Sequence, residues 1–377
     1  MNLNDLKLIQ QSRAKEVVQR AIKHGRMAHA YLLHGPEGSG KEAIALALAQ
    51  TFLCERRGQT DSGDLFAAPV AHDWACGACS GCKRIAEMTH PDVHVVIPRA
   101  ASATEAEITE VLRSLATQPL NRMRPWENSF VLIDDVRELK RTFSTSSYEG
   151  RGSVALLFEA QRLKAESANA LLKLLEEPPD EKFFILTANS LESLLPTIIS
   201  RCQPILVSAP RENELEDILR MHHGVEAERA KFVASLANGN LRYALALLED
   251  DLESRRKLAV EYLRMAFKFN KPVEQVEFLN QLVQEHDRHA LQQLLQFCAA
   301  WLRDAYVLKC SGAEQPIVNT DFRTALLELN KNLPQFDFDR VLEEVEYAIS
   351  CLERYVQPWL VLMVLLQRIR QLSRPGK

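Results

Sequence analysis

The chain has 377 residues, 46% of them apolar, with 46 basic and 50 acidic side chains and a formal net charge of −4. This length and composition predict two or three well-packed globular domains. The small negative charge excludes binding of nucleic acid through the chain's overall charge, so a DNA contact would need a local patch or a partner.

The first segment, residues 1–26, is charged and amphipathic and lacks the apolar core of a signal peptide. The longest apolar run, residues 359–366, is too short to span a bilayer and is expected to form a buried helix face. We therefore expect a cytoplasmic protein that does not enter a membrane. In a reducing compartment clustered cysteines indicate a metal, and scattered ones indicate small buried side chains, here Cys202, Cys298, Cys310 and Cys351.

Between residues 29 and 205, short apolar runs alternate with amphipathic segments. Alternating strands and helices predict a parallel α/β sheet, in a domain that spans residues 1–207. The predicted strands are AYLLHG, DVHVVIP, SVALLFEA, KFFILTAN and PILVSAP. Two polar stretches, residues 55–73 and 99–107, are expected to be loops or insertions.

After Pro210 the pattern becomes helical. Residues 208–250 contain three short amphipathic segments and predict a small domain of three helices. Residues 251–377 carry helical periodicity throughout, with prolines at helix starts or in loops. The economical interpretation is a third domain that is entirely helical.

The sequence GPEGSGKE, residues 35–42, has the spacing of a phosphate-binding loop. In such loops backbone N–H groups and a helix N-terminus surround the phosphates, and the lysine reaches the outer ones. Gly35, Gly40 and Lys41 are therefore candidate nucleotide-binding residues. The next position normally supplies a hydroxyl to Mg²⁺, but here it is Glu42, whose charge suits a helix start and repels phosphate. The loop is either catalytic or a degenerate form kept for its shape.

Two segments compete for the acidic position that holds magnesium in such sites. FVLIDD offers Asp134 and Asp135, whereas VALLFEA offers Phe158 and Glu159. Asp135 also has the capping-box spacing with Glu138, which a helix start alone would explain. The residues alone leave both candidates open.

Three segments resemble the core of bacterial clamp-loader subunits of the AAA+ class, namely residues 155–179, 183–189 and 194–205. The family pattern is an apolar strand ending in Asp-Glu-Ala, a helix with Asn-Ala-Leu-Leu-Lys, and a Ser-Arg-Cys turn. In the register that this resemblance implies, Phe158 replaces the magnesium aspartate and Glu159 is retained, while Asp134 and Asp135 precede the strand. A phenyl ring cannot coordinate magnesium. Together with Glu42, this implies a member that does not hydrolyse ATP.

Within the family, a degraded phosphate loop beside an intact Ser-Arg-Cys motif is similar to the delta-prime type of DNA polymerase III subunit rather than to the gamma/tau ATPase type. The resemblance covers residues 8–250 closely and the rest loosely. It implies an AAA+ α/β domain with a P-loop NTPase-like parallel sheet and a zinc module at residues 54–82. Residues 208–250 would be a helical lid, and residues 251–377 an all-α collar that mediates oligomerisation.

Four cysteines indicate the metal site. Cys76, Cys79 and Cys82 in CGACSGC, with Cys54 upstream, supply four thiolates for tetrahedral zinc. His72 or His90 in place of Cys54 is the weaker alternative. Four thiolates close the coordination sphere, so the zinc is expected to be structural.

The resemblance also implies roles for three single residues. Arg201 would be an arginine finger that projects into the ATP site of a neighbouring subunit and stabilises charge on the transferred phosphoryl group. Asn189 and Arg242 occupy the positions that touch the terminal phosphate in active members. Here they would belong to a degenerate site that binds nucleotide weakly or not at all.

The implied partners are the gamma/tau ATPase subunits and the delta subunit of a hetero-oligomeric ring and, through the complex, the sliding clamp and primed DNA. Two alternatives stay open. An active gamma/tau-type ATPase would tolerate Glu42 and use Asp134 for magnesium. A zinc-bearing module for single-stranded DNA would need a basic stretch with interleaved aromatic residues, which the sequence lacks. Residues 99–128 have no role that the sequence assigns.

Overall fold

The computed structural model describes residues 16–17, 19–21, 24, 27–56, 75–120, 123–126, 128–249, 252–268, 271–312 and 317–373. The chain divides into two compact units, residues 1–224 with 239–246, and residues 225–238 with 247–377. These limits differ from the predicted boundaries after residues 207 and 250. The division into three domains therefore stays a prediction.

The first unit contains a sheet of five parallel strands in the order β2-β3-β4-β1-β5. The strands are β1 (Ala30–His34), β2 (Val93–Val96), β3 (Ser153–Leu157), β4 (Lys182–Ala188) and β5 (Gln203–Leu206). Strand β1 lies between β4 and β5, with Leu32 opposite Leu186 and Pro204. Four strands lie within the predicted apolar runs and β5 begins one residue before its run, so the predicted parallel α/β sheet is confirmed.

The described helices follow in chain order. Up to the end of β5 and just beyond it they are α1 (Lys41–Leu53), α2 (Ser80–Ala86), α3 (Glu105–Thr117), α4 (Ile133–Phe143), α5 (Ala165–Glu176), α6 (Pro196–Ile199) and α7 (Glu212–His223). The remaining ones are α8 (Ala227–Ala237), α9 (Leu241–Glu249), α10 (Leu252–Phe267), α11 (Pro272–Glu285), α12 (Arg288–Ser311), α13 (Arg323–Asn332), α14 (Phe338–Glu353) and α15 (Pro358–Leu372).

Both faces of the sheet are covered, as is usual for parallel strands. Tyr31 and Leu33 of β1 pack into an apolar cluster that includes α1. Ala30 and Leu32, which point the other way, pack into a second cluster that includes α4 and α5. Helix α1 is buried at every residue except Glu42, because an apolar helix that lies against a sheet needs cover on all sides. The start of α1 is thereby held firmly at the end of β1.

Helix α3 begins inside the stretch predicted to be a loop. The Thr104 hydroxyl accepts a hydrogen bond from the Glu107 backbone N–H at 3.3 Å, and the Glu107 carboxylate accepts one from the Thr104 N–H at 2.8 Å. This capping box starts the helix at Glu105. The loop prediction for residues 99–107 is therefore wrong at its end, since Thr-x-x-Glu is itself a helix-start signal.

The second unit is helical in its described residues, and its long helix α12 packs against α10, α13 and α14. The buried Tyr262 hydroxyl donates to the Leu362 carbonyl at 2.8 Å and joins α10 to α15. Helix α15 buries Leu362 and Leu365, whereas Leu360 and Val364 are about half exposed. The apolar run at its start thus has the expected buried face and a second, exposed one. Among the described residues, no helix has the length and apolar character needed to cross a membrane.

The scattered cysteines differ in their surroundings. Cys202 and Cys298 are buried, as predicted, and burial raises the pKa of the Cys202 thiol to about 12. Cys351 is partly exposed. Cys310 is fully on the surface in the last turn of α12, so the prediction that it is a buried side chain is wrong.

Candidate functional site

The candidate nucleotide site lies where β1, β4 and β3 end. These strands are parallel neighbours, so their carboxyl ends meet at one edge of the sheet, where ligands bind in folds of this class. The loop of residues 35–40 follows β1, Glu159 follows β3, and Asn189 follows β4. A cavity at this edge is lined by Gly40, Lys41, Asn189 and Arg242 together with Glu37, Glu42, Arg124 and Glu159. Four of the five predicted nucleotide-site residues are thus brought together, and the fifth, Gly35, begins the loop but does not line the cavity.

Glycine is required in the loop for its shape. A Cβ atom on Gly35 would lie 1.9 Å from the Val207 carbonyl oxygen, and the Gly35 N–H donates to the Ala188 carbonyl at 3.2 Å. Gly40 precedes α1 with φ +85°, a left-handed conformation that favours glycine. Both positions therefore favour glycine for the path that the loop takes.

The Lys41 ammonium group is turned back onto its own loop. Its Nζ donates to the carbonyl oxygens of Gly35 and Pro36 at 2.6 Å each. The side chain is 7% exposed, and burial lowers the pKa of Lys41 to about 8, although Glu42 and Glu37 act to raise it. Lys41 thus braces the loop in this conformation.

Arg124 lies at the centre of the charged side chains. Its Nη1 is 2.5 Å from Glu37 Oε1, its Nη2 is 3.2 Å from Glu42 Oε1, and its Nε is 3.1 Å from Glu159 Oε1. Burial acts to lower the pKa of Arg124, and the three carboxylates more than offset this, so the pKa is raised. Sequence reasoning missed this residue because no local spacing connects it to the loop.

The first residue after β3 is a phenylalanine, which cannot coordinate magnesium. Phe158 is fully buried in the apolar cluster that includes α1. Glu159 has φ +54°, a left-handed conformation that is unusual outside glycine. Its backbone N–H donates to Thr187 Oγ1 at 2.9 Å, and its carboxylate contacts Arg162 Nε at 3.0 Å as well as Arg124. The carboxylate that remains is therefore already paired with two guanidinium groups.

Asp134 and Asp135 lie elsewhere. Asp134 is exposed and pairs with Arg137 at 3.1 Å. Asp135 pairs with Arg99 at 2.7 Å, and its carboxylate accepts from the Leu132 N–H at 3.3 Å. Helix α4 begins before these aspartates, so Asp135 is its third residue and the predicted cap formed with Glu138 is wrong by one turn. Neither aspartate lines the cavity.

Arg201 follows α6, away from the cavity. Its Nη2 is 2.7 Å from Glu176 Oε1 at the end of α5, and its Nη1 donates to the Thr197 carbonyl at 2.9 Å. About a third of its side chain is exposed. The Ser200 hydroxyl donates to the same carbonyl at 3.1 Å, and Cys202 is buried. These two neighbours shape the turn that presents the guanidinium at the surface.

The candidate metal centre is a group of four thiols. The Sγ atoms of Cys54, Cys76, Cys79 and Cys82 all lie within 4.8 Å of one another, and four thiolates around zinc lie about 3.8 Å apart, given a Zn–S distance of about 2.3 Å. The N–H groups of Cys76, Cys79 and Cys82 approach the Sγ atoms of Cys54, Cys76 and Cys79 at 3.3, 3.3 and 3.4 Å. Such donors stabilise thiolates, so this group can hold a metal ion.

Polar contacts fix the cysteine group to α1. Gln50 on α1 is buried, and its Nε2 donates to the Cys82 carbonyl at 2.7 Å. Glu55, next to Cys54, accepts hydrogen bonds from the Gly81 N–H at 2.8 Å and from the Ser80 hydroxyl at 2.9 Å. The start of α2 is therefore tied to the end of α1 beside the thiols.

The alternative fourth ligands are not part of this group. The buried His90 has its Nε2 3.3 Å from Glu149 Oε2, while its Nδ1 accepts from the Asp92 N–H at 3.1 Å. Both ring nitrogens are thus engaged away from the thiols. His72 lies outside the described residues. The geometry favours Cys54 as the fourth thiol.

The amino-acid sequence of the chain is similar to those of several known proteins. The chain is 30% identical to the DNA polymerase III subunit delta' of Bacillus subtilis (strain 168) over 254 residues, which are 67% of this chain and 64% of that relative. It is 26% identical to the delta' subunit of Escherichia coli (strain K12) over 363 residues, 96% of this chain and 94% of that relative. The DNA polymerase III subunit tau of Escherichia coli (strain K12) is 30% identical over 252 residues, 66% of this chain and 33% of tau.

A match to a protein-family model identifies the family of the chain. The model described as "DNA polymerase III, delta subunit" matches residues 10–211, more than half of the chain. The matched residues contain the whole sheet, the loop of residues 35–40, the cysteine group and Arg201. From this match and these relatives, the chain belongs to the DNA polymerase III delta-subunit family and, within it, to the delta-prime members.

Proposed function

We propose that this chain is a clamp-loader subunit that does not hydrolyse ATP itself and that provides Arg201 to the ATP site of a neighbouring subunit. The observation that carries the proposal is that two positions for magnesium ligands in the chain's own nucleotide site hold unsuitable residues. Phe158 is buried at the end of β3, and Glu42 stands where a hydroxyl would bind Mg²⁺. A site without these ligands cannot neutralise the charge that develops during phosphoryl transfer.

Arg201 has the exposure that a function in trans requires. Its guanidinium lies at the surface, about a third exposed, and its ion pair with Glu176 is partly solvated. Such pairs are weak, typically below about 1 kcal/mol, so a phosphate group from a neighbour can replace the carboxylate at small cost. An arginine supplied in this way stabilises charge on the transferred phosphoryl group.

The proposed setting is a hetero-oligomeric ring with an AAA+ fold in each subunit. The chain would assemble with gamma/tau-type ATPase subunits and a delta subunit, through the helices of residues 251–377, and the complex would load a sliding clamp at primed DNA. Relatives named delta' and tau support this setting. Residues 208–250 would form the lid over the degenerate nucleotide site, to which Asn189 and Arg242 contribute.

The metal is proposed to be a structural zinc ion held by Cys54, Cys76, Cys79 and Cys82. Four thiolates in a tetrahedral arrangement fit zinc, and they leave no position for a substrate. When bound, the ion would supply a cross-link between the end of α1 and the start of α2. The protein's own contribution is the set of backbone N–H donors that favour the thiolate form.

Affinity purification from the native cell tests the assembly directly. The tagged chain is expected to co-elute with an ATPase subunit that has an intact phosphate-binding loop and with a delta-type subunit, in a fixed ratio through size-exclusion chromatography. Mass spectrometry identifies the partners. Elution as a lone monomer at micromolar concentration, with no replication subunit bound, would contradict the proposed setting.

A further inference from the structure

We propose that the Arg124 side chain occupies the nucleotide site of this chain, where its positive charge neutralises the carboxylates around the loop of residues 35–40 and blocks nucleotide binding. The inference rests on the proposed function only in treating this loop as a former nucleotide site.

Three carboxylates from separate parts of the fold meet on this one guanidinium. Glu37 belongs to the loop, Glu42 to the first turn of α1, and Glu159 to the residue pair after β3. Each contacts a different nitrogen of Arg124, at 2.5, 3.2 and 3.1 Å respectively. Arg162 also pairs with Glu159, and Arg242 with Glu37, so removing Arg124 would leave each of the three carboxylates with less compensating charge, which is costly for partly buried groups.

Among the described residues, positive and negative groups around the cavity are equal in number. The charged lining that they form consists of the three carboxylates with Lys41, Arg124 and Arg242, which are three negative and three positive groups. A nucleoside triphosphate needs uncompensated positive charge from the loop. Here carboxylates of the protein itself already pair with Arg124 and Arg242, two of the three positive groups of the lining.

The remaining space is also small. The free volume of the cavity is about 30 Å³, and a single water molecule needs about 10–15 Å³ by the same measure. Pro119 and Leu120 line the cavity beside Arg124. Pro119, Leu120 and Arg124 therefore narrow the space beside the loop.

Glu37 extends the network to helix α9. Its Oε1 lies 2.5 Å from Arg124 Nη1 and 3.1 Å from Arg242 Nη1 at the start of α9. One carboxylate thus joins the loop to two guanidinium groups, as a phosphate would. The contact fixes the beginning of α9 against the loop without a nucleotide.

Charge-removing variants of the full chain test the network. Arg124→Ala is expected to lower Tm by about 4 °C or more, because it removes the cation that three carboxylates share. Adding Glu42→Gln and Glu159→Gln in the same chain is expected to restore at least half of that loss. The matched control is Arg162→Ala, which removes another guanidinium paired with Glu159 but does not line the cavity, and it is expected to shift Tm by less than half as much. Equal shifts for the two arginine variants, or no restoration in the triple variant, would overturn the network.

A measurement of nucleotide binding tests whether Arg124 blocks the site. Isothermal titration with ATP and Mg²⁺ is expected to give no saturation of the wild-type chain up to about 1 mM, and at least tenfold tighter binding by the triple variant, about 1.4 kcal/mol or more. If the wild-type chain binds ATP as tightly as the triple variant, or if neither binds, Arg124 is not what closes the site. These outcomes do not depend on assembly with partners or on Arg201, so they separate this inference from the proposed function.

Discussion

Replacing Arg201 with alanine is expected to lower the DNA-stimulated ATP turnover of the reconstituted complex by about 10³-fold at the site that this arginine serves. The physical reason is that a guanidinium placed on the transferred phosphoryl group stabilises charge that exists only in the transition state. Nucleotide binding by the neighbour is expected to change little, since the contact forms late. The measurement is steady-state phosphate release with and without primed DNA.

Two variants separate this role from a structural one. Arg220→Ala removes an arginine on α7 that makes a partly exposed pair with Glu216, and it is expected to leave turnover unchanged. Arg201→Lys keeps the positive charge but loses the planar, bidentate geometry, so it is expected to restore only part of the rate. Assembly of the Arg201→Ala complex is checked by size-exclusion chromatography. An assembled complex with full turnover would refute the arginine-finger role.

Removal of the proposed zinc ion is expected to have the second large effect. Cys82→Ala takes away a fully buried thiol of the four-cysteine group and is expected to abolish metal binding and destabilise the chain by several kcal/mol, because metal binding and folding of such modules are coupled. The unfolding midpoint in urea, with and without a chelator, measures the loss. In Cys82→Ala, adding the chelator should change nothing further.

The matched control is Cys310→Ser, which replaces an exposed cysteine outside the group. This variant, like the wild-type chain, is expected to bind one zinc ion per chain. Its unfolding midpoint in urea is expected to equal that of the wild type. Zinc content is measured by atomic emission after gel filtration. Full zinc occupancy in Cys82→Ala, or none in the wild-type chain purified with zinc present, would contradict the proposed site.

The strands and the loop were predictable because their signals are local. Residues 30–33 are buried on both sides of the sheet, so their apolar run is visible in the sequence. Gly35 and Gly40 stand where the backbone excludes a side chain or turns left-handed, and their spacing reveals the loop directly. The spacing of the four cysteines likewise predicted the metal site from the sequence. Cys54 comes close to the other three only because α1 contacts α2.

Arg124 shows what the sequence could not give. It is 82 residues from Glu42 and 87 from Glu37 along the chain, and its position is set by the path that the chain takes after α3. The same limit applies to Asp135, whose partner Arg99 is 36 residues away. Cys310 illustrates a simpler failure, because a lone cysteine on a long helix carries no signal for which face it occupies.

The most direct test of the account is ATP hydrolysis by the isolated chain. Purified protein with ATP and Mg²⁺, followed for hours by phosphate release, is expected to show no turnover above a Lys41→Ala variant prepared in parallel, because Phe158 and Glu42 leave the site without its magnesium ligands. Turnover by the wild-type chain that Lys41→Ala abolishes would contradict the account and favour an active ATPase of the gamma/tau type.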